Sequence, residues 1–370
     1  MSDDPTMPLP KPSNEDPVET LRPARPSAPR REMQVSPEGG TGVPARQAGG
    51  DACPTAAPRR DKARKLGPYE LLGLLGRGGM GAVYEAVDTR LDRHVALKLM
   101  RSGEDATPEE LERFRREAAH SAKLRHPNIV TVHDVGHEDG RDYLVMDLVE
   151  GDTLGEALRR RQFTYREKAT LLEKVARAVQ YAHDHGVIHR DLKPGNIMLD
   201  YGRGGSSSVV AQPSGLRRNP EDCATAAANP QSAEPLVMDF GLAKDIQQES
   251  GLSHSGQALG TPAYMAPEQA EGKSKLVGPR SDVYSLGAIL YEMLAGRPPF
   301  VGETPLQVLR AALYEDPVPP QVFTPGVPRD LETICLKCLE KEPGRRYASA
   351  AELADDLKAF QQDEPISARP

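Results

Sequence analysis

Residues His189–Asp200 read HRDLKPGNIMLD, and Leu236–Lys244 read LVMDFGLAK. In the first fragment an aspartate, a lysine two residues on and an asparagine five on form one compact cluster. Asp191, Lys193 and Asn196 supply a base, a cation and a metal-ligating amide. Asp239 of the second fragment adds a carboxylate, and hard oxygen ligands of this kind suit a divalent ion bound to phosphate oxygens. Any one of these triplets could arise by chance. The ordered set points to chemistry on a metal-bound phosphate.

NIMLD and LVMDF are expected to pair as antiparallel strands. Between them, 201–235 shows neither strand nor helix period and is rich in Gly, Ser, Ala and Pro. Hairpin loops usually need only about 2–5 residues, but each doubling of loop length costs only about 0.6 kcal/mol. The segment therefore reads as a disordered surface excursion that lengthens one turn. A docking role is the sharper alternative.

Upstream, Gly76, Gly78 and Gly81 lie in YELLGLLGRGGMGAVYEAVD, which reads as strand, turn, strand. Glycines allow backbone amides to approach phosphates closely. The same spacing marks dinucleotide-binding folds, but those need a helix directly after the glycines and an acidic residue about 20 positions on. Here a strand follows, and the residue 22 on is Lys98. Lys98 sits in the apolar strand VALK, and Glu117 on the next predicted helix is its natural counterion.

The 370 residues carry a net charge of −7, which excludes a nucleic-acid partner on electrostatic grounds alone. Prolines crowd the first 67 residues, where no aromatic residue occurs. That segment buries too little to offset its chain entropy and is expected to be disordered. No run of apolar residues is long enough to span a bilayer, and MSDDPT lacks the features of a signal peptide. Four cysteines in this length fit a reducing, cytoplasmic setting. Cys335 and Cys338 have no second ligand pair and read as core residues.

The periodicity divides the rest into an α+β arrangement. Residues 68–150 form a small antiparallel sheet with one helix, predicted over TPEELERFRREAAHSAKL. Residues 151–362 are mainly helical, and 363–370 read as a flexible tail. In the second lobe Leu171, Val175, Ala178, Val179 and Ala182 line one helical face ending at Gly186. SDVYSLGAILYEMLAG is apolar nearly all round and reads as a buried helix capped by Ser281.

With the glycine loop, VALK, HRDLKPGN, DFG, GTPAYMAPE and SDVYSLG in place, the chain resembles the eukaryotic-type (Hanks-type) protein kinases, in particular their bacterial serine/threonine branch. The likeness covers about 68–362. It implies a bilobal kinase fold, ATP with Mg²⁺ (or Mn²⁺) as cofactors, and transfer of the γ-phosphate to Ser/Thr hydroxyls of protein substrates. It implies that Leu75, Gly76, Arg77, Gly78, Gly79, Met80, Gly81, Ala82 and Val83 cover the nucleotide. Lys98, held by Glu117, binds the α and β phosphates. Leu75, Val83, Ala96 and Met198 sandwich the adenine, Met146 is the gatekeeper, and backbone from Asp147 to Val149 bonds the base. Asn196 and Asp239 hold the metal, Asp191 orients the acceptor hydroxyl and takes its proton, and Lys193 steadies the γ-phosphate.

The resemblance also implies that His189 and Phe240 pack the lobes together, that Asp282 anchors the catalytic loop, and that Glu268 pairs with Arg346. His126, His183 and His185 read as caps or surface residues. Arg190, with Ser250, Ser253, Ser255 and Thr261 in the 239–268 activation segment, suggests control by autophosphorylation; self-association of two copies would serve it. One departure stands out. Ser121, one turn after Glu117, occupies a place where many relatives carry a bulkier apolar residue, so its contact with Phe240 is expected to be thin. A conformation with Lys98 and Glu117 apart should then form readily in the absence of a stabilising partner. The rival readings are a pseudokinase scaffold, which would be expected to have lost a Lys, Asp or Asn that this chain retains, and a small-molecule phosphotransferase, which would not be expected to carry AYMAPE.

Overall fold

The computed structural model describes residues 64–78, 81–100, 118, 120–138, 140–201, 233–240 and 262–369. The expectations for 1–63, for most of the 107–124 helix, for 202–232 and for 241–261 lie outside these residues.

The first lobe is built from β1 (Arg64–Leu66), β2 (Tyr69–Gly78), β3 (Gly81–Asp88), β4 (Arg93–Met100), β5 (Val132–Glu138) and β6 (Arg141–Asp147). They form one antiparallel sheet in the order β1-β2-β3-β4-β6-β5. Arg64–Leu66, inside the segment expected to be disordered, pair with β2, and Leu66 is buried. In β4 the alternation of a strand decides the site. Val95, Leu97 and Leu99 enter one core cluster, while Ala96 enters the other with Val130, Leu144 and Met146. Lys98 shares the Ala96 face and is buried there.

The second lobe opens with β7 (Gly151–Thr153), α1 (Leu154–Arg160) and α2 (Tyr165–Asp184). Reciprocal capping boxes start both helices, Thr153 with Glu156 and Thr164 with Glu167. The apolar face expected of α2 is buried, and Gly186 ends it at φ +75°. β8 (Ile197–Asp200) and β9 (Glu234–Val237) complete a small sheet in the order β7-β8-β9. Then follow α3 (Pro267–Ala270), α4 (Pro279–Ala295), α5 (Pro305–Tyr314), α6 (Pro320–Phe323), α7 (Arg329–Cys338) and α8 (Ala350–Gln361).

Helix α4 is the buried helix expected, but Ser281 is not its cap. Pro279 takes the first helical position after Gly278, and Ser281 stands two residues inside, its Oγ accepting the Gly278 N–H at 3.1 Å. Cys335 and Cys338 are fully buried on α7, and burial pushes both thiols well up. A Cβ at Gly287 of α4 would lie 2.3 Å from the Cβ of Cys338, so this helix crossing requires glycine.

The tail expected to be flexible is docked instead. The buried carboxylate of Asp356 on α8 accepts from the N–H groups of Ser367 (2.7 Å) and Ala368 (2.9 Å) and from the Ser367 hydroxyl (3.0 Å). Tyr347 donates to the same carboxylate at 2.7 Å, and Ala368 is buried.

β8 and β9 pair antiparallel from Ile197↔Val237 to Asp200↔Glu234. The long insertion therefore leaves and re-enters at the end of the hairpin opposite Asn196 and Asp239. Tyr201 packs against the lobe core and Ala233 lies within it, so both attachment points are fixed. Replacing 202–232 by Asn-Gly is expected to retain the fold and raise stability by about 2 kcal/mol through a shorter loop. Urea unfolding of the two proteins checks this, and a destabilised deletion would assign the insertion a structural role.

Candidate active site

Asp282, in the first turn of α4, is fully buried and organises the loop that precedes β8. Its Oδ2 accepts from the His189 N–H (2.8 Å) and His183 Nε2 (2.7 Å), and its Oδ1 accepts from the Arg190 N–H (2.9 Å). Burial pushes this carboxyl up, but the His183 hydrogen bond and charge outweigh it, and the group lies below its ordinary value. Arg190 adopts φ +66°, a conformation costly for a residue with a Cβ. The Gln269 side-chain amide holds the Arg190 carbonyl at 3.1 Å. His183 was read as a cap or surface residue; it is instead a buried partner of Asp282.

One turn further, Lys193 Nζ meets Asp191 Oδ2 at 2.7 Å. The Asn196 side-chain nitrogen donates to the Asp191 carbonyl (2.8 Å) and to its Oδ2 (3.1 Å). The three residues that spacing grouped are thus in mutual contact. Turning the Asn196 nitrogen toward Asp191 makes the amide oxygen the end left to serve a metal.

His189 is fully buried, and burial lowers its pKa. Its Nε2 donates to the Met238 carbonyl at 2.9 Å while Nδ1 accepts the Asp191 N–H at 3.3 Å, which fits a neutral ring protonated on Nε2. The ring also stacks on Phe240 with centroids 4.7 Å apart. Asp239, between Met238 and Phe240, takes φ +65°. Its Oδ1 is 2.7 Å from Lys98 Nζ, both side chains being largely buried. Lys98 thus has a carboxylate partner among the described residues, and it is Asp239. The expected partner Glu117 lies outside them.

Ser121 meets Phe240 through the main chain. Its hydroxyl is buried and donates to the Phe240 carbonyl at 3.0 Å. Nothing in the local sequence signals a bond spanning 119 positions.

Of the residues assigned to the nucleotide, Val83 packs against the cluster holding Ala96 and Met146, and Ala96 lies opposite Met146 in the β4–β6 ladder. Val149 joins the same cluster, Met198 is half-buried on β8, and Leu75 is exposed on β2. The Asp147 N–H is committed to the Thr131 carbonyl at 3.0 Å, which removes it as a donor to a base. The Asp147 side chain is held in turn by His133 Nε2 at 2.7 Å. Arg77 and Ala82 pair across the β2–β3 ladder, and Gly78 faces Gly81 at its end. Gly81 is required by the sheet itself, since a Cβ there would lie 2.1 Å from the Leu99 carbonyl oxygen; at Gly76 a Cβ would meet nothing within 4 Å. Gly79, Met80, Ser250, Ser253, Ser255 and Thr261 lie outside the described residues.

Asn196 and Asp239 fit a Mg²⁺ ion by their donor chemistry. Among the described residues no group of three or more His, Cys, Asp or Glu could hold a metal by itself. That suits an ion that takes the rest of its shell from phosphate and water.

Below the site, Glu268 and Arg346 form the expected pair, with both side chains buried and bidentate at 2.8 and 2.9 Å. All five guanidinium donors are used, the remaining bonds going to the carbonyls of Arg280, Glu340 and Lys341.

A protein kinase domain model matches residues 69–357. The chain is 38% identical over 317 residues to a probable serine/threonine-protein kinase of Streptomyces coelicolor, covering 83% of this chain and 42% of that protein. It is 38% identical over 306 residues to the serine/threonine-protein kinase PknB of Mycobacterium tuberculosis, covering 81% and 44%. Among solved structures, the PknI kinase domain of Mycobacterium tuberculosis matches with a TM-score of 0.59 at 27% identity, over 81% of this chain and 98% of that one. The chain belongs to the protein kinase family, and the bilobal fold is that of a kinase domain. It spans less than half the length of the curated relatives it matches.

Burial raises the Glu268 carboxyl as well, yet the hydrogen bonds of Arg346 and Ser281 and the charge of Arg346 bring it below its ordinary value. Asp282 and Glu268 are therefore both depressed in the folded state, and the unfolded chain binds more protons. Their stabilisation is present above the ordinary values, 3.8 for aspartate and 4.5 for glutamate, and is lost as pH falls below them. Urea midpoints measured from pH 7 to pH 3 should fall steeply at the acid end. Glu268→Gln leaves Arg346 buried and unpaired and should cost about 3–5 kcal/mol at pH 7, with a flatter acid limb.

Proposed function

We propose that the chain is a serine/threonine protein kinase that transfers the γ-phosphate of Mg-ATP to Ser or Thr hydroxyls of proteins. The observation that carries this reading is the contact set of Asp191 with Lys193 and Asn196, beside the Lys98–Asp239 pair. Phosphoryl transfer demands positioning and charge neutralisation more than covalent chemistry, and these five side chains supply both.

Asp191 is placed to orient an acceptor hydroxyl and receive its proton. Lys193, already on the Asp191 carboxylate, is placed to steady the transferred group. Lys98, here on Asp239, would bind phosphate oxygens of a nucleotide, and the Asp239 carboxylate and the Asn196 amide oxygen would hold the metal. The metal supplies neutralisation of the phosphate charge. Val83, Ala96, Met146 and Val149 form the apolar bed for the base, with Leu75 and Met198 as its other walls. The Asp147 carbonyl and Val149 N–H are the backbone groups assigned to bond it, and Gly76 leaves room for phosphate above β2.

Lys193 in the catalytic loop and Thr261 in GTPAY support serine and threonine as acceptors over tyrosine. Arg190, beside the base, supports control through phosphorylation at Ser250, Ser253, Ser255 or Thr261, with two copies phosphorylating each other. Among the described residues no helix is long and apolar enough to cross a membrane, and the need for ATP fits a cytoplasmic active site.

The test compares wild type with Asp191→Asn, using radiolabelled ATP and myelin basic protein as a generic acceptor. Wild type should label serine and threonine, and the variant should be slower by about 10²- to 10⁴-fold, the usual loss of a placed base. Equal incorporation, or none by wild type, would refute the kinase reading.

A further inference from the structure

Asp239 adopts a left-handed backbone conformation that only its surroundings can maintain. The catalytic-loop side holds Met238, whose N–H donates to the Asn196 carbonyl at 3.0 Å and whose carbonyl accepts from His189 Nε2 at 2.9 Å. A second set of restraints comes from one stretch, Ser121–Val130. The Asn128 side chain donates to the Pro235 carbonyl at 2.8 Å. The Val237 N–H donates to the Asn128 carbonyl, and the Val130 N–H to the Val237 carbonyl, both at 2.9 Å. These bonds fix the chain just before Asp239. After it, the Ser121 hydroxyl holds the Phe240 carbonyl at 3.0 Å. Asp239 is thus bracketed, and downstream the Ser121 hydrogen bond to the Phe240 carbonyl acts beside the burial of the Phe240 ring and its contact with His189.

The place of Ser121 in its own helix adds to this. Its carbonyl accepts the Leu124 N–H at 3.1 Å, so it belongs to the last turn, where the helix passes into the segment that ladders onto β9. Leu124 is itself buried in the second-lobe core. A shift of the helix end therefore acts on the Phe240 peptide without an intermediary. An apolar side chain would transmit such a shift softly, through contacts that slide. A hydrogen bond weakens steeply with distance and angle, so the coupling here is directional.

We propose that Ser121 is a positioning residue of this kinase site, holding Asp239 in its metal-ready conformation through the Phe240 carbonyl and coupling it to the helix end. The inference rests on the function proposed above, and its test reads the two separately.

Ser121→Ala and Ser121→Thr are compared with wild type in two measurements. The first is hydrogen exchange at the amides of 238–240 in protein free of nucleotide and metal. The second is steady-state kinetics with varied Mg²⁺, alongside thermal unfolding. The alanine variant should exchange faster by about 5- to 30-fold and require more Mg²⁺ for half-maximal turnover by a similar factor, as expected for one buried hydrogen bond. The threonine variant, which keeps the hydroxyl, should restore both. Unchanged exchange in Ser121→Ala would overturn the proposal. So would faster exchange with an unchanged Mg²⁺ requirement, or equal losses in both variants, which would mark a packing role only. A wild type that transfers no phosphate refutes the proposed function and the catalytic part of this inference together. The exchange measurement then still decides whether the hydroxyl holds the Phe240 peptide.

Discussion

A single buried carboxylate sets the geometry on which the site depends. Asp282 sits in the first turn of α4, where the helix dipole favours negative charge. It takes two consecutive backbone N–H groups of the catalytic loop and one histidine. Taking a carboxylate out of water is expensive unless its oxygens are satisfied, and here three donors meet it. Part of the resulting rigidity is spent on Arg190, whose left-handed backbone costs about 1–3 kcal/mol. That turn brings Asp191, Lys193 and Asn196 round to face one another. The catalytic cluster is local in sequence, but its shape is imposed by a helix about ninety residues downstream.

The second strained residue follows the same logic on the other arm of the hairpin. Asp239, like Arg190, is a non-glycine residue at positive φ beside a segment tied down by polar bonds from elsewhere. His189 links the two arms, its backbone on Asp282 and its ring on the Met238 carbonyl and the Phe240 face. The β8–β9 hairpin is therefore fixed at the end that carries chemistry. Its opposite end needs only to keep Asp200 beside Glu234, which explains how a long insertion can sit there without disturbing Asn196 and Asp239.

Much of this was legible in the sequence wherever the controlling contact is local or the motif is dense. Lys98 in the apolar strand VALK stood out as a charge needing a carboxylate, the face of α2 was correct residue by residue, and Glu268 found Arg346. What escaped was long-range and polar. His183 in YAHDHG carries no local mark of burial, because its partner Asp282 lies on another helix. The tail DEPISARP looks like a polar end until Asp356 supplies the acceptors that dock it. Ser281 was misplaced because a serine before an apolar run resembles a cap, while Pro279, with its fixed φ, competes for the helix start and prevails. Hydrophobic period reports which face is buried; it says nothing of which polar atoms will meet across the core.

The glycine loop shows why motif letters and physical constraint need separate accounts. Gly81 is demanded by β4, whose Leu99 carbonyl leaves no space for a side-chain carbon, so its glycine would be needed in this sheet with or without a nucleotide. At Gly76 no atom opposes a Cβ, and the backbone does not require glycine by crowding. The freedom there gains a purpose only if something outside the fold must come close to the β2 backbone. One spacing pattern thus records two requirements, one of packing and one of ligand approach. It is Gly76, uncrowded at an irregularity of the β2–β3 ladder, that leaves room for a phosphate under the proposed function.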